Sequence, residues 1–153
     1  MLTISQLVDC PQNLPQVASW IFGEWGHLTE GVTIEKVAAK LQTHLHPDAI
    51  PLTLVASLNQ LPVGTASLMF EDMSSRPDLS PWLASVFVLP EYRKQGIGSM
   101  LVRAAEDLSK KLSVQKLYLF TPDQEQFYAR LGWLVIDHAE YREQQVVIMN
   151  KSF

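Results

Sequence analysis

The stretch Val86-Phe87-Val88-Leu89-Pro90-Glu91-Tyr92-Arg93-Lys94-Gln95-Gly96-Ile97-Gly98-Ser99 constrains this chain more than any other. An apolar run stops at a proline, two cations follow, and two glycines open a helical pattern. Proline cannot donate to a strand ladder, so the strand ends there. Glycines let backbone N–H groups turn toward a ligand and let that ligand come close. The start of a helix adds unpaired N–H donors and a partial positive charge. A strand, a loop carrying Arg93 and Lys94, and a glycine-led helix therefore make an anion site of the kind that holds phosphates.

Two familiar phosphate loops do not fit. A P-loop requires Gly-Lys-Ser/Thr at its end, and Ile97-Gly98-Ser99 offers no lysine after the second glycine. A dinucleotide fingerprint needs a third glycine where Leu101 stands.

The flanking periodicities supply the rest of the fold. Helical patterns run from about Asn13 to Gly26, and again after Thr33, where Val37, Leu41 and Leu45 share a face. Strand-like runs cover Leu52–Leu58 and Val63–Phe70, joined through Asn59-Gln60-Leu61-Pro62. Glu71 to Pro81 reads as a loop, and Trp82–Val88 as a strand. Leu101, Ala104, Ala105, Leu108 and Leu112 stripe a helix from Gly96 to Leu112, with Arg103, Glu106, Asp107, Lys110 and Lys111 outward. A strand Lys116–Phe120, a helix Gln124–Arg130 and closing strands Trp133–Ile136 and Val146–Asn150 complete the order. This mixture predicts one α/β domain over residues 1–153, with helices packed on a mixed sheet.

Composition narrows the function. A net charge of −4 disfavours a nucleic-acid partner, whose affinity would come from neutralising phosphates. No apolar run reaches the roughly 18–20 residues that cross a bilayer, and the first residues lack a signal-peptide pattern, so the expectation is a cytoplasmic protein without a membrane partner. Cys10, the single cysteine, excludes an intrachain disulfide, and no basic neighbour activates it. His27, His44, His46 and His138 lack the spacing of a metal set, so no metal is expected.

With Val88-x-Pro90-x-x-Arg93-x-x-Gly96-Ile97-Gly98 in this setting, the chain resembles the GCN5-related N-acetyltransferases (GNAT). Downstream, Leu117-Tyr118-Leu119-Phe120-Thr121 and Phe127-Tyr128-Ala129-Arg130-Leu131-Gly132-Trp133 resemble a second motif of that family. The resemblance implies a mostly antiparallel sheet with two central strands splayed apart and helices on both faces. It implies acetyl-CoA as cosubstrate and no metal. The pantetheine arm would bond to the backbone of Phe87 and Val88. The pyrophosphate would rest on Lys94, Gln95, Gly96, Ile97, Gly98 and Ser99, with Arg93 supporting the loop or the phosphates. Tyr128 would protonate the departing sulfur, and a backbone N–H near Val88, taken as Val88 itself, would stabilise the oxyanion. Thr121 or Asp123 would stand where relatives place an asparagine against the pantetheine. Dimers are common among relatives, so a homodimer is an expectation.

The acceptor side is less legible. Many relatives carry a Glu or His on the strand that here reads Trp82 to Val88, and this strand offers neither. The proton would leave through ordered water or a carboxylate: Asp72, Asp78 and Glu24 are the candidates, with Asp72 the base chosen. The loop from Glu71 to Trp82 holds three acids against Arg76, which favours a cationic amine, and Trp82 could add cation–π contact. Asp72, Asp78, Trp82 and Ser85 are therefore the substrate-side candidates. The function expected is acetyl transfer to a primary amine of a small molecule, peptide or protein by direct attack. The alternative is a non-catalytic acyl-CoA-binding module.

Overall fold

A computed structural model describes all of residues 1–153. The elements run β1 (Leu2–Gln6), α1 (Leu14–Trp25), α2 (Ile34–Gln42), β2 (Leu52–Leu58), β3 (Leu61–Met69), β4 (Trp82–Val88), α3 (Ile97–Lys111), β5 (Lys116–Thr121), α4 (Glu125–Arg130), β6 (Leu134–Tyr141) and β7 (Gln144–Ser152). Seven strands form one sheet in the order β1-β2-β3-β4-β5-β7-β6. Every pairing is antiparallel except β4 with β5. The mixed, mostly antiparallel sheet expected from the sequence is thus present.

Alternation along the strands decides which helix covers which face. Leu52, Leu54 and Ala56 of β2, with Ala66 and Leu68 of β3, join Ile97, Leu101 and Ala105 of α3 in the largest core cluster. Val55 points the other way, into a second cluster with Val17 and Trp20 of α1 and Leu41 of α2. Gly64 is needed where the layers meet, because a Cβ there would lie 2.9 Å from the Phe87 carbonyl oxygen and 3.1 Å from Leu101.

Several local readings change. Leu2–Gln6 is an edge strand paired along β2, which five residues without a turn signal did not reveal. The β2–β3 turn is only Asn59-Gln60, both with positive φ, and Pro62 falls inside β3 beside a bulge at Ala56/Ser57. The closing strands are longer than their apolar cores and meet at Arg142-Glu143, again both at positive φ. Glu106 is buried rather than outward: it accepts from the Trp133 indole N–H at 3.1 Å and pairs with Lys151 at 2.8 Å, tying α3 to the β7 side of the sheet.

Candidate active site

The site begins with a fault in the sheet. β4 and β5 lie side by side but meet at a single register position, Trp82 with Tyr118, backed by the Tyr118 N–H donating to the Pro81 carbonyl. Beyond that point the strands part. The facing edges of β4 and β5 therefore leave backbone donors and acceptors without a neighbouring strand, inside the sheet rather than at its border. Such an edge is a template for an extended, hydrogen-bonding ligand. A bulge marks the opening: Ser85 has φ of 56°, and the β3–β4 register slips between Thr65 and Ser67.

The upper end of β4 is fixed from both sides. The Leu89 N–H donates to the Val63 carbonyl on β3 at 2.9 Å. By alternation, the Val88 N–H and carbonyl point toward the gap. Arg93 Nε donates to that carbonyl at 2.8 Å, and its guanidinium lies 5.6 Å from the Phe87 ring centroid. Of the two roles the sequence left to Arg93, bracing the loop is the one with a visible contact.

The chain then turns into α3 through left-handed residues, Lys94 at φ 64° and Gly96 at φ 83°. The amides of Lys94, Gln95 and Gly96 donate to no backbone carbonyl, and the first amides of α3 have no preceding turn to bond. A hypothetical Cβ on Gly98 would lie 3.4 Å from Phe127, so α4 packs directly against this helix start. The Tyr128 side chain is buried in the α3-side core, between Phe127 and Trp133. Its hydroxyl has no hydrogen-bonding partner in the protein and is not sealed from solvent. Burial, reinforced by the negative charge of Asp123, pushes its pKa well above the usual phenol value, so it holds its proton throughout the neutral range. Free amides at a helix start, an opened strand edge and an unpartnered phenol fit a phosphate-bearing thioester cosubstrate. Thr121 is used locally: its hydroxyl accepts from the Gln124 N–H at 3.0 Å and Asp123 N–H at 3.4 Å, shaping the entry to α4.

On the opposite face, a cleft of about 550 Å³ lies between the α1–α2 connection, the β3–β4 loop and the β6–β7 turn. Leu28, Glu30, Glu71, Asp72, Ser74, Tyr141 and Arg142 are among its walls. Asp72 is half-buried, and burial raises its pKa to about 6, against the lowering pull of Lys40 and Arg142. Its backbone carbonyl accepts from the Tyr141 hydroxyl at 3.4 Å. Glu30, Tyr141 and Arg142 carried no sequence signal, since only the fold brings the α1–α2 connection and the β6–β7 turn up to the β3–β4 loop.

Two substrate-side candidates stand elsewhere. Trp82 is fully buried, its indole N–H donating to the Leu79 carbonyl at 2.7 Å, in a cluster with Met73, Val146 and Ile148. The β3–β4 loop is thus a packed cover, and Trp82 has no ring face left for a cation. Asp78 is ion-paired to Arg76 at 3.0 Å, and Arg76 also holds Asp137 of β6 at 2.9 Å, outside the cleft lining. That clasp fixes the loop to the sheet and spends the carboxylate. Glu24, the remaining candidate carboxylate, is exposed on α1 and also lies outside that lining.

Residues 50–134 match the family model described as an acetyltransferase (GNAT) domain, so the chain belongs to the GNAT acetyltransferases, enzymes that transfer an acetyl group from acetyl-CoA. Its fold matches the GNAT-family acetyltransferase of Streptococcus pneumoniae at 19% identity, with TM-score 0.74 and 99% of each chain covered. It also matches the PaiA N-acetyltransferase of Thermoplasma acidophilum in complex with coenzyme A, at 21% identity, TM-score 0.72, 100% of this chain and 99% of that one. An aminoglycoside 6'-N-acetyltransferase complexed with coenzyme A aligns at 16% identity, TM-score 0.74, 98% of this chain and 96% of that one.

Proposed function

We propose that this protein acetylates a cationic primary amine, the donor lying in the gap between β4 and β5 and the acceptor entering from the acidic cleft on the α1–α2 face. The observation that carries this reading is the single-contact β4–β5 ladder, flanked by free amides at the start of α3 and by the unpartnered Tyr128 hydroxyl. Bound acetyl-CoA would supply a thioester whose carbonyl carbon is open to attack.

The protein's own residues do the rest. The amides from Lys94 to Ser99 hold the pyrophosphate. The edge of Phe87 and Val88 takes the pantetheine, and the Val88 N–H serves the oxyanion. Asp123, exposed beside the entry to α4, borders the pantetheine path. The arm must end above the Trp82–Tyr118 closure, so the thioester stops near the bulge at Ser85. Tyr128, protonated at neutral pH, gives its proton to the sulfur as the thiolate leaves.

Glu30, Glu71 and Asp72 draw the ammonium into the cleft, and with a pKa near 6 Asp72 is the carboxylate there best suited to accept a proton. A small amine suits the cleft's size, and a peptide N-terminus presents the same group. The two Tyr141 neighbours, Ser74 and Arg142, add polar contacts for the remainder of the acceptor.

The test is thiol release from acetyl-CoA across a panel of diamines, aminoglycosides and peptide N-termini. Turnover by the wild-type protein is the expected result. Tight CoA binding with no acetylated product from any amine would support the acyl-CoA-binding module instead.

A further inference from the structure

His44 is only 3% exposed, and neither the donor gap nor the acceptor cleft uses it. It follows α2 and sends Nδ1 to the Thr53 hydroxyl on β2 at 2.8 Å. Thr53 in turn meets the Ser67 hydroxyl on β3 at 2.8 Å. Thr53 and Ser67 are cross-strand partners, and Ser67 is itself paired with Ala84 on β4. A file of three buried polar groups therefore crosses the sheet on the α1–α2 face and stops beside the residue that precedes the bulge at Ser85.

Both ends of the file are informative. At the inner end, Ala84 contributes only a methyl group, on the stretch of β4 that has already parted from β5. At the outer end, His44 Nε2 makes no hydrogen bond in the protein but is not sealed. It belongs to the lining of a cavity of about 280 Å³, together with Lys40, Thr43, Pro51, Met69, Phe70 and Glu71. A buried Thr–Ser pair bonded to a histidine costs more to satisfy than an apolar pair of the same shape. Either hydroxyl can donate, so the file can reverse direction by rotating two O–H bonds.

Resting on the amine-acetylating reading above, we propose that Ser67, Thr53 and His44 form a proton relay from the reacting nitrogen to solvent. During transfer the C–N bond forms and the C–S bond breaks, the electron pair leaving with sulfur, which takes a proton from Tyr128. An acceptor that arrives as an ammonium sheds two protons in becoming an amide. One, returned through solvent, restores the proton that Tyr128 gave to sulfur, and the other must leave the site. The Ser67 hydroxyl receives it, directly or through one water molecule, and Thr53 passes it on. His44 takes it at Nδ1 and releases a proton from Nε2 into the outer cavity.

The charges around His44 suit a carrier rather than a store. Burial, followed by the positive charges of Lys40 and His46, lowers its pKa to about 4, and Glu71 lines the same cavity. The ring therefore gives up a proton as soon as it takes one. The nitrogen of the tetrahedral adduct is far more acidic than the starting ammonium, so a weakly basic relay suffices. The relay also divides labour with Asp72. At about 3.3 Å per residue, Trp82 lies roughly 10 Å along β4 from Ser85, and Asp72 follows Met69, the register partner of Trp82, at that far end of the β3–β4 pair. Asp72 then takes the first proton as the ammonium becomes an amine in the cleft, and the file beside Ala84 takes the second from the adduct.

The decisive experiment measures kcat, KM and solvent deuterium isotope effects from pH 6 to 10 for wild type, Thr53→Val, Thr53→Ser, Ser67→Ala and His44→Gln, on the best amine of the panel. Thr53→Val breaks the file without changing shape. It should lower kcat about 100-fold near pH 7, less at high pH, with CoA affinity unchanged. Thr53→Ser should recover most of that loss. Combining Thr53→Val with Ser67→Ala should cost no more than either alone, because one break already stops the relay. The proposal is overturned if Thr53→Val keeps kcat within about twofold of wild type, or if Thr53→Ser loses as much as Thr53→Val, which would assign Thr53 to packing. A wild-type protein that turns over no amine would overturn both the relay and the function on which it rests. Normal wild-type turnover with an indifferent Thr53→Val would overturn the relay alone.

Discussion

The donor and acceptor sides of this protein are built from different material. The donor side is mostly main chain: an unpaired strand edge, left-handed residues at Lys94 and Gly96, and amides at the start of α3. The acceptor side is mostly side chain, with Glu30, Glu71, Asp72, Tyr141 and Arg142 brought together from three connections. A main-chain site demands glycine, proline and a helix start at fixed places, whereas a side-chain cleft accepts many residue sets. The first side can be shared by a whole family while the second varies with the acceptor.

Substitutions should separate the two sides. The largest effect on CoA binding is expected at Gly96, where φ of 83° is strongly disfavoured for a β-branched residue. Gly96→Val should cost about 1–3 kcal/mol in local strain and pull the amides of the cradle out of line. CoA affinity should fall by tenfold or more, which calorimetric titration would show, while the KM for amine changes little. The largest effect on turnover is expected for Tyr128→Phe. It should lower kcat about 100-fold and keep CoA affinity within about threefold, so single-turnover kinetics should show slow chemistry after normal binding. An unchanged kcat would remove the acid role.

Asp72→Asn should act on the acceptor alone, raising KM for cationic amines roughly tenfold, as expected for loss of a charge-assisted hydrogen bond. The same carboxylate gives a pH signature. Its folded pKa is raised to about 6, so it is charged above that value and neutral below it. Amine KM should rise as pH falls through about 6, and this inflection should vanish in Asp72→Asn. For stability the sign is opposite: burying the charged form is unfavourable, so ionised Asp72 costs stability above pH 6, and that cost is relieved as pH falls toward 4. The smallest effect belongs to Arg76→Ala. Its ion pairs with Asp78 and Asp137 are solvent-exposed, so the expected loss is below about 1 kcal/mol, read as a shift in Tm of a few degrees.

Legibility from sequence follows the same division. The strand–Pro90–Gly96–Gly98–helix junction was readable because each residue type is forced by backbone conformation. The helices over Leu14–Trp25 and Ile97–Lys111 were readable because their apolar stripes repeat with the helical period. Leu2–Gln6 carried too few residues to show alternation above noise. Trp82 and Glu106 misled for one shared reason: residue type suggests an aromatic contact or a solvated charge, and only tertiary packing shows Trp82 enclosed by Met73 and Ile148, and Glu106 bonded to Trp133 and Lys151. His44 showed in the sequence only as one of four histidines without metal spacing, because its partners Thr53 and Ser67 are adjacent only once β2 and β3 pair.

Titrating CoA into the wild-type protein, Gly96→Val and Asp72→Asn tests the division between the two sides most directly. The expected result is that wild type and Asp72→Asn bind CoA alike and Gly96→Val binds it at least tenfold more weakly. Equal binding by all three, or weakening in Asp72→Asn instead, would contradict a donor site made of main chain at the start of α3.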